Sequence, residues 1–408
     1  MIKVGSDFSG VGAFNQALNR LGINYEEVFA CDMDKYARQT FIHNYGEPRY
    51  YPTNVYYRNI PEKSLDIYMT SPPCQAFSLA GKRLGKTDNR GVLFFNSHEF
   101  IEKNKPRFFI FENVKGLLSD DNGKTFQEWV NMLGGKSVNG SPVMFPHEYS
   151  VPYHLYWKVL NAKEHGVPQN RERVFLVGIR DDQDNLFRWP IEEHLTKRLK
   201  DVLEDDVDGK YFLSEKIIKG FLNKKDAENF PFLPKDENDI SQCLTARYFK
   251  MGATDPYIKI KSATAKGYEE ATEGDSINFS VPNSETRRGR VGKGVAQTLD
   301  TACNQGTIIG GKWNDFKNEL GDKKGFEPIS DGCSPTLLAR ARNDGSGMAA
   351  VSDGLKIRRL TPRECFRLMD FPDTFTWPVS DSQAYKQAGN SIVVNVLYKI
   401  LKNLPLCY

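Results

Sequence analysis

Four side chains of this sequence have the types and settings of a nucleophile, a proton donor and a pair of oxygen clamps. Cys74 stands in Ser71-Pro72-Pro73-Cys74-Gln75, where two prolines stiffen the approach and a Gly/Lys/Arg-containing loop from Gly81 to Gly91 follows. An electropositive setting lowers a thiol's pKa and raises its thiolate fraction, although a lone cysteine is more often an inert buried hydrophobe. Glu112 ends the run RFFIF (107–111). Apolar residues deliver its carboxyl partly desolvated, which raises the pKa and lets it give a proton near neutrality. A helix N-cap pair, Glu112-Asn113, is the bland alternative. Arg171 and Arg173 enter another strand on one face, as clamps or as a solvated edge pair.

A second group suits a nucleoside. Phe8-Ser9-Gly10-Val11-Gly12 follows a strand and opens a helix, where glycines let backbone approach a ligand and free N–H groups await it. Asp32, about twenty residues on, closes the next strand and can accept from ribose hydroxyls. The pair favours an adenosine-containing ligand without separating nicotinamide from S-adenosylmethionine.

The elements that must carry these residues alternate. Strands are expected at 2–10, 25–34, 64–74, 107–114 and 173–180, with helices at 13–22 and 35–46 capped by Gly22 and Gly46. Continuously apolar strands between helices imply an α/β fold with a doubly wound, mostly parallel sheet. Beyond about 181 acidic runs and Gly/Thr/Ser-rich stretches appear. Three similar segments, SQCLTAR (241–247), AQTLDTA (296–302) and SPTLLAR (334–340), read either as convergent strand composition or as similar β-elements of a second, irregular domain. Helical pattern returns from 357, and 385–401 reads as a Gly-Asn turn followed by an amphipathic helix.

Composition removes other classes. The 408 residues are 39% hydrophobic with 33 Gly and 21 Pro, which describes a folded chain of two or three domains. No apolar run spans a membrane, and MIKVGSDFSG lacks an h-region, so a reduced intracellular, cytoplasmic protein is expected. The seven cysteines lack CxxC spacing, which argues against a zinc cluster or disulfide framework. A formal charge of +3 permits a polyanionic partner without demanding one.

Taken in order, DFSGVG (7–12), PPCQAFS (72–78), FENVKGLL (111–118), QNRERVFLVG (169–178), RRLTPRECFRLMDFP (358–372) and QAGNSIVVNV (387–396) resemble the DNA (cytosine-5)-methyltransferase family over essentially the whole chain. The resemblance implies a Rossmann-like S-adenosylmethionine-dependent fold, 1–185 completed by 385–408, with a smaller β-rich target-recognition domain at 186–384. It implies methyl transfer to C5 of a cytosine flipped out of double-stranded DNA. Cys74 would attack C6, Glu112 would serve N3 and the exocyclic amine, Arg173 would hold O2, and Arg171 would support the pocket. Phe8 and Met33 would face the adenine; Ser9, Gly10 and Gly12 form the turn, and Asp32 takes the ribose. Pro72, Leu93, Asn390 and Ser391 would complete the cofactor pocket.

Three departures stand out. The usual Asp-Leu-Phe is Ser6-Asp7-Phe8, Ala13 replaces a glycine, and Asn54 replaces the Asp that holds the adenine amine. The loop carrying Gln75, Ser78, Lys82, Arg83, Lys86 and Arg90 matches the family's mobile loop. Arg287, Arg288, Arg290, Arg340 and Arg342 are expected on phosphates or guanines, and Thr336-Leu337 matches the family's Thr-Leu pair. No large regulatory extension is evident, which suggests a monomeric bacterial or phage modification enzyme. The rivals are a tRNA cytosine methyltransferase on the same fold, a catalytically dead DNA-binding protein, and a nicotinamide dehydrogenase resting on the glycine turn alone.

Overall fold

A computed structural model describes residues 1–59, 65–72, 93–205, 207–213, 235, 238–251, 255–260, 276–278, 291–292, 305–307, 311–314, 325–328 and 356–406. The chain divides into two compact units. The first comprises Met1–Leu203, Asn238–Pro256 and Leu360–Tyr408; the second comprises Glu204–Glu237 and Tyr257–Arg359. The boundaries differ from the expected ones. Residues 186–203, 238–256 and 360–384, assigned above to the recognition domain, group with the first unit.

The first unit is built on β1 (Ile2–Asp7), β2 (Tyr25–Cys31), β3 (Ile67–Thr70) and β4 (Phe108–Val114), parallel in the order β2-β1-β3-β4. The sheet continues through β8 (Glu172–Arg180) and β7 (Tyr153–Asn161), then β5 (Ser137–Val138) and β6 (Ser141–Pro142). β8 runs antiparallel to both of its neighbours. Helices α1 (Ala13–Leu21), α2 (Lys35–Tyr45), α3 (Leu93–Asn104) and α4 (Lys124–Leu133) follow the strands. The C-terminal part of the unit adds α5 (Pro362–Leu368), α6 (Asp381–Asn390) and α7 (Val394–Lys402).

Burial explains why the β4 sequence is unbroken apolar. Phe108, Phe109, Ile110 and Phe111 are all fully buried, each contributing about 1.5–3 kcal/mol on leaving water. Phe109 pairs across the ladder with Gly178, where an added Cβ would stand 2.1 Å from the ring. Only a residue without a side chain fits there. Phe94 of α3 stacks on Trp129 of α4 at 4.2 Å between ring centres, extending the core over this face.

Local caps set the ends. Asp34 accepts from the Tyr36 and Ala37 N–H groups to start α2, and Gly22 ends α1 in the left-handed region. Thr361 and Glu364 form a reciprocal capping box, with Pro362 in the first turn of α5. The amphipathic helix expected after Gly-Asn is present as α7, but the Gly-Asn pair closes a helix rather than forming a free-standing turn. Gly389 and Asn390 finish α6, a short extended link follows, and α7 begins at Val394.

The strand register puts four chain exits on one edge. Asp7 pairs with Cys31 and with Thr70, and Thr70 pairs with Phe111. The next residues, Phe8, Asp32 and Ser71, leave the carboxyl ends of their strands level with Glu112, which stands two residues before the end of β4, at the edge where ligands bind in open α/β sheets. Because β8 is antiparallel, its amino end arrives at the same edge, with Arg173 opposite Val114.

The described part of the second unit holds a 3-10 turn at Gly209–Tyr211 and β-structure in short pieces. β9 (Tyr257–Ile260) pairs with β15 (Lys356–Arg359). β10 (Ser276–Asn278) lies between β11 (Val291–Gly292) and β12 (Gln305–Thr307), and β13 (Gly311–Asn314) pairs with β14 (Gly325–Pro328), all antiparallel. The segment 241–247, one of the three similar segments, belongs to the first unit and contributes only an isolated bridge from Ser241 to Gln169. Its Leu244 main chain bonds to the side chains of Gln169 and Arg171 rather than to a ladder. The other two segments lie outside the described residues.

Candidate active site

The glycine turn is an open, strained curve. Phe8, Gly10 and Gly12 have φ of 57°, 54° and 85°, all in the left-handed region that favours glycine. At Gly10 an added Cβ would meet nothing within 4 Å, whereas at Gly12 it would stand 2.2 Å from the Tyr45 ring. The Asp32 carboxylate locks the turn to β2: one oxygen accepts from Gly10 N–H at 2.8 Å, the other from Asp34 N–H at 2.8 Å. Burial raises its pKa, and these two N–H groups pull it back. Ser9 N–H reaches the Cys31 carbonyl and its hydroxyl meets the Tyr51 hydroxyl at 3.2 Å. Met33 is exposed beside Asp32, and Leu93 is half-buried at the start of α3.

Glu112 lies at the same edge. Its carboxyl is almost wholly buried and pairs with the Arg173 Nε at 3.1 Å. Burial pushes its pKa up, and Arg173 followed by Arg171 pulls it down. The N-cap alternative fails, because the following 3-10 turn has no side-chain cap. Asn113 instead spans outward: its Oδ1 accepts from Val114 N–H, and its Nδ2 donates to the Pro72 carbonyl at 3.3 Å. That bond fixes the chain two residues before Cys74 to the residue beside Glu112.

Arg171 overturns the solvated edge-pair alternative. It precedes β8, is buried, and donates to the carbonyls of Leu244 (2.9 Å), Gly389 (3.1 Å) and Ser391 (2.8 Å). Burial draws its pKa down to about 10, so it stays charged at neutral pH. It is neither a solvated edge cation nor free to clamp a substrate with the same atoms. Arg173, partly exposed, keeps that possibility.

Other expected residues separate. Pro72 and Ser391 are buried, and Ser391 is held through its carbonyl by Arg171. Asn390 is exposed at the end of α6. Asn54 is exposed and its Oδ1 accepts from Tyr56 N–H at 2.9 Å, so the amide oxygen assigned above to an adenine amine already closes a turn. Asp7, the acid shifted by one position, is buried against Arg58 and Tyr68. Cys74, Gln75, Ser78, Lys82, Arg83, Lys86, Arg90, Arg287, Arg288, Arg290, Thr336, Leu337, Arg340 and Arg342 lie outside the described residues.

Sequence reasoning missed Tyr51, Arg58, Asn113 as a tether, and Cys243. The Cys243 thiol accepts from Arg171 Nη1 at 3.4 Å, and the nearby Arg171 and Arg173 lower its pKa against the effect of burial. Only Asn113 carried a signal, its place beside Glu112. The others meet partners tens of residues away.

The model of the C-5 cytosine-specific DNA methylase family matches residues 2–405. This chain belongs to that family. The methylase is 32% identical to the orphan methyltransferase M.SPRI of Bacillus phage SPR, across 100% of this chain and 98% of that protein. It is 29% identical to the type II methyltransferase M1.ScrFI of Lactococcus lactis subsp. cremoris, across 97% of this chain and 76% of that protein. The crystal structure of S. pombe Dnmt2 methyltransferase matches it with a TM-score of 0.59 at 17% identity, covering 100% of both chains. That last likeness concerns the fold. The methylase is thus a DNA (cytosine-5-)-methyltransferase on an α/β, mixed and mostly parallel sheet.

Proposed function

We propose that this methyltransferase modifies a cytosine flipped out of double-stranded DNA, using Cys74 as nucleophile and S-adenosylmethionine as methyl donor. The observation that carries the reading is the buried Glu112 carboxyl, paired with Arg173 and joined through Asn113 to the carbonyl of Pro72. A nucleophile supplied two residues beyond Pro72 and a desolvated acid near the end of β4 suit one pyrimidine ring.

The cofactor fits the donor set at the neighbouring strand ends. The open backbone at Gly10 leaves room for a close approach, and Asp32 has lone pairs beyond the two N–H groups it accepts. Phe8, Ser9, Gly12, Met33 and Leu93 would line that site, with Pro72 behind it. Bound S-adenosylmethionine supplies an electrophilic methyl group on a sulfonium sulfur.

The chain's own residues do the rest. The Cys74 thiolate adds to C6, forming the C–S bond, while protonated Glu112 gives its proton to N3. The electron pair displaced from the C5–C6 bond makes C5 nucleophilic. Arg173 donates to O2, and Arg171 holds Leu244, Gly389 and Ser391 so that Arg173 and Glu112 keep their pairing. Once C5 carries the methyl group and the neutral thioether has left, loss of the C5 proton to a base, elimination of Cys74 as thiolate and return of the N3 proton to Glu112 would restore the enzyme. The loop residues Gln75, Ser78, Lys82 and Arg83 would close on the DNA, and the arginines at 287, 288, 290, 340 and 342 would contact its backbone or bases.

The relatives' names, an orphan phage methyltransferase and a type II methyltransferase, support a modification enzyme; its action as a monomer in a bacterial or phage-infected cytoplasm is part of the proposal. Among the described residues no helix is long and apolar enough to cross a membrane. The test is duplex DNA carrying 5-fluorocytosine at the target, found by bisulfite sequencing of DNA from expressing cells. An adduct that survives denaturation and maps to Cys74 is expected. Its absence from an enzyme that still methylates would overturn the covalent route.

A further inference from the structure

The departure Ser6-Asp7-Phe8 acquires a purpose in the structure. Asp7 and Arg58 form a buried bidentate pair, Nε reaching both carboxylate oxygens at 2.8 Å and Nη2 reaching Oδ2 at 2.5 Å. The Tyr68 hydroxyl donates to the same Oδ2 at 2.5 Å. The other reach of Nη2 is the Asn96 carbonyl in the first turn of α3, at 3.3 Å, and the guanidinium lies over the Phe100 ring at 4.5 Å. One side chain thus joins three pieces of chain. They are the exit of β1 just before Phe8, the 54–58 turn, and α3 three residues after Leu93.

A buried ion pair is a weak way to stabilise a fold, because desolvation consumes the attraction and apolar replacements are often as stable. The family's usual leucine at this position makes the same point. What a forked, charge-assisted contact does supply is direction. Asp7 is followed at once by Phe8, a non-glycine residue at φ 57° whose carbonyl also accepts from Ser71 Oγ at 3.4 Å. A peptide held in that sparsely populated region persists only when its surroundings over-determine it. Four hydrogen bonds onto the preceding carboxylate do so.

We propose that the Asp7–Arg58 pair is a positioning device for the cofactor site, setting Phe8, the 54–58 turn and the start of α3 in one arrangement. This rests on the reading that S-adenosylmethionine binds at the Phe8–Gly12 turn. The consequence is selective: the pair governs affinity for the cofactor and leaves the chemistry at Glu112 and Arg173 alone.

The test uses the full-length enzyme and S-adenosylhomocysteine as the calorimetric probe. Asp7→Leu combined with Arg58→Met removes the charges while keeping the volume apolar, and should melt within a few degrees of the parent. Its Kd for S-adenosylhomocysteine and its KM for S-adenosylmethionine should both rise about tenfold, with kcat and DNA affinity within about twofold. Arg58→Lys keeps the charge but loses the fork, and should raise KM about fivefold without unfolding the protein. Parent-like KM in both variants, or a fall in kcat at unchanged KM, overturns the proposal. A parent enzyme that fails to bind S-adenosylhomocysteine overturns the underlying cofactor assignment instead.

Discussion

Replacing Arg171 by methionine removes a cation that fastens its own segment to two distant stretches of the first unit, at residue 244 and at 389–391. Its donors serve the carbonyls of Leu244, Gly389 and Ser391 from a fully buried position. Hydrogen bonds from a charged donor contribute about 1.5–3 kcal/mol each. The gross gain is offset by the cost of burying the guanidinium, visible in a pKa drawn down to about 10 and equivalent to about 3 kcal/mol. Methionine removes that cost but takes the Arg171 donors from the Gly389 and Ser391 carbonyls and leaves the Leu244 carbonyl only the Cys243 thiol, so the net loss should be about 3–5 kcal/mol. Against a total stability of about 5–15 kcal/mol that is a large fraction. Guanidinium chloride unfolding should show the midpoint falling at unchanged slope. Arg171→Lys, with a point charge in place of a fork, should recover only part of the loss. A methionine variant within 1 kcal/mol of the parent would show that water or backbone adjustment satisfies those carbonyls, and the tethering argument would be wrong.

Cys74→Ala should abolish methylation while DNA binding persists in a gel-shift assay; turnover near the parent's would remove the nucleophile from the scheme. Glu112→Gln should lower kcat by about 10²–10⁴ with cofactor affinity retained. The parent's alkaline limb, where the raised carboxyl of Glu112 loses its proton, should disappear with it. Glu27, pushed up to about 8 by burial with Oε1 unpartnered, binds its proton more tightly folded than unfolded. Its contribution is therefore complete below about pH 4.5 and is lost as pH rises to about 8. Glu27→Gln, which can still accept from Asn15, should flatten that decline and gain about 1–3 kcal/mol at pH 8.5; an unchanged pH–stability curve would contradict it. Gly12→Ala, with φ 85° and the Tyr45 ring 2.2 Å from the new methyl, should weaken cofactor binding and lower Tm, read by calorimetry and melting in parallel.

The sequence disclosed what local rules govern. Apolar runs placed β1 through β4, glycine and proline marked their exits, and parallel alternation alone implies that Phe8, Asp32, Ser71 and Glu112 lie at one edge. What escaped depended on contacts across long separations. Arg171 looked like half of an edge pair because its neighbours are polar, yet Leu244 and Gly389 decide its role from 73 and 218 residues away. The β7 strand YHLYWKVLN mixes charged and aromatic residues, and it became a strand because β8 pairs along its length. Asp7 is the instructive case. Beside the family's Asp-Leu-Phe it reads as an acid displaced by one position, but strand side chains alternate faces, so a one-residue shift changes the side of the sheet rather than the distance along it. An acid at residue 7 could not have inherited the role of one at residue 6. It had to meet a cation of its own inside the protein, and the arginine that answers lies 51 residues on, in a turn whose sequence gives no sign of it.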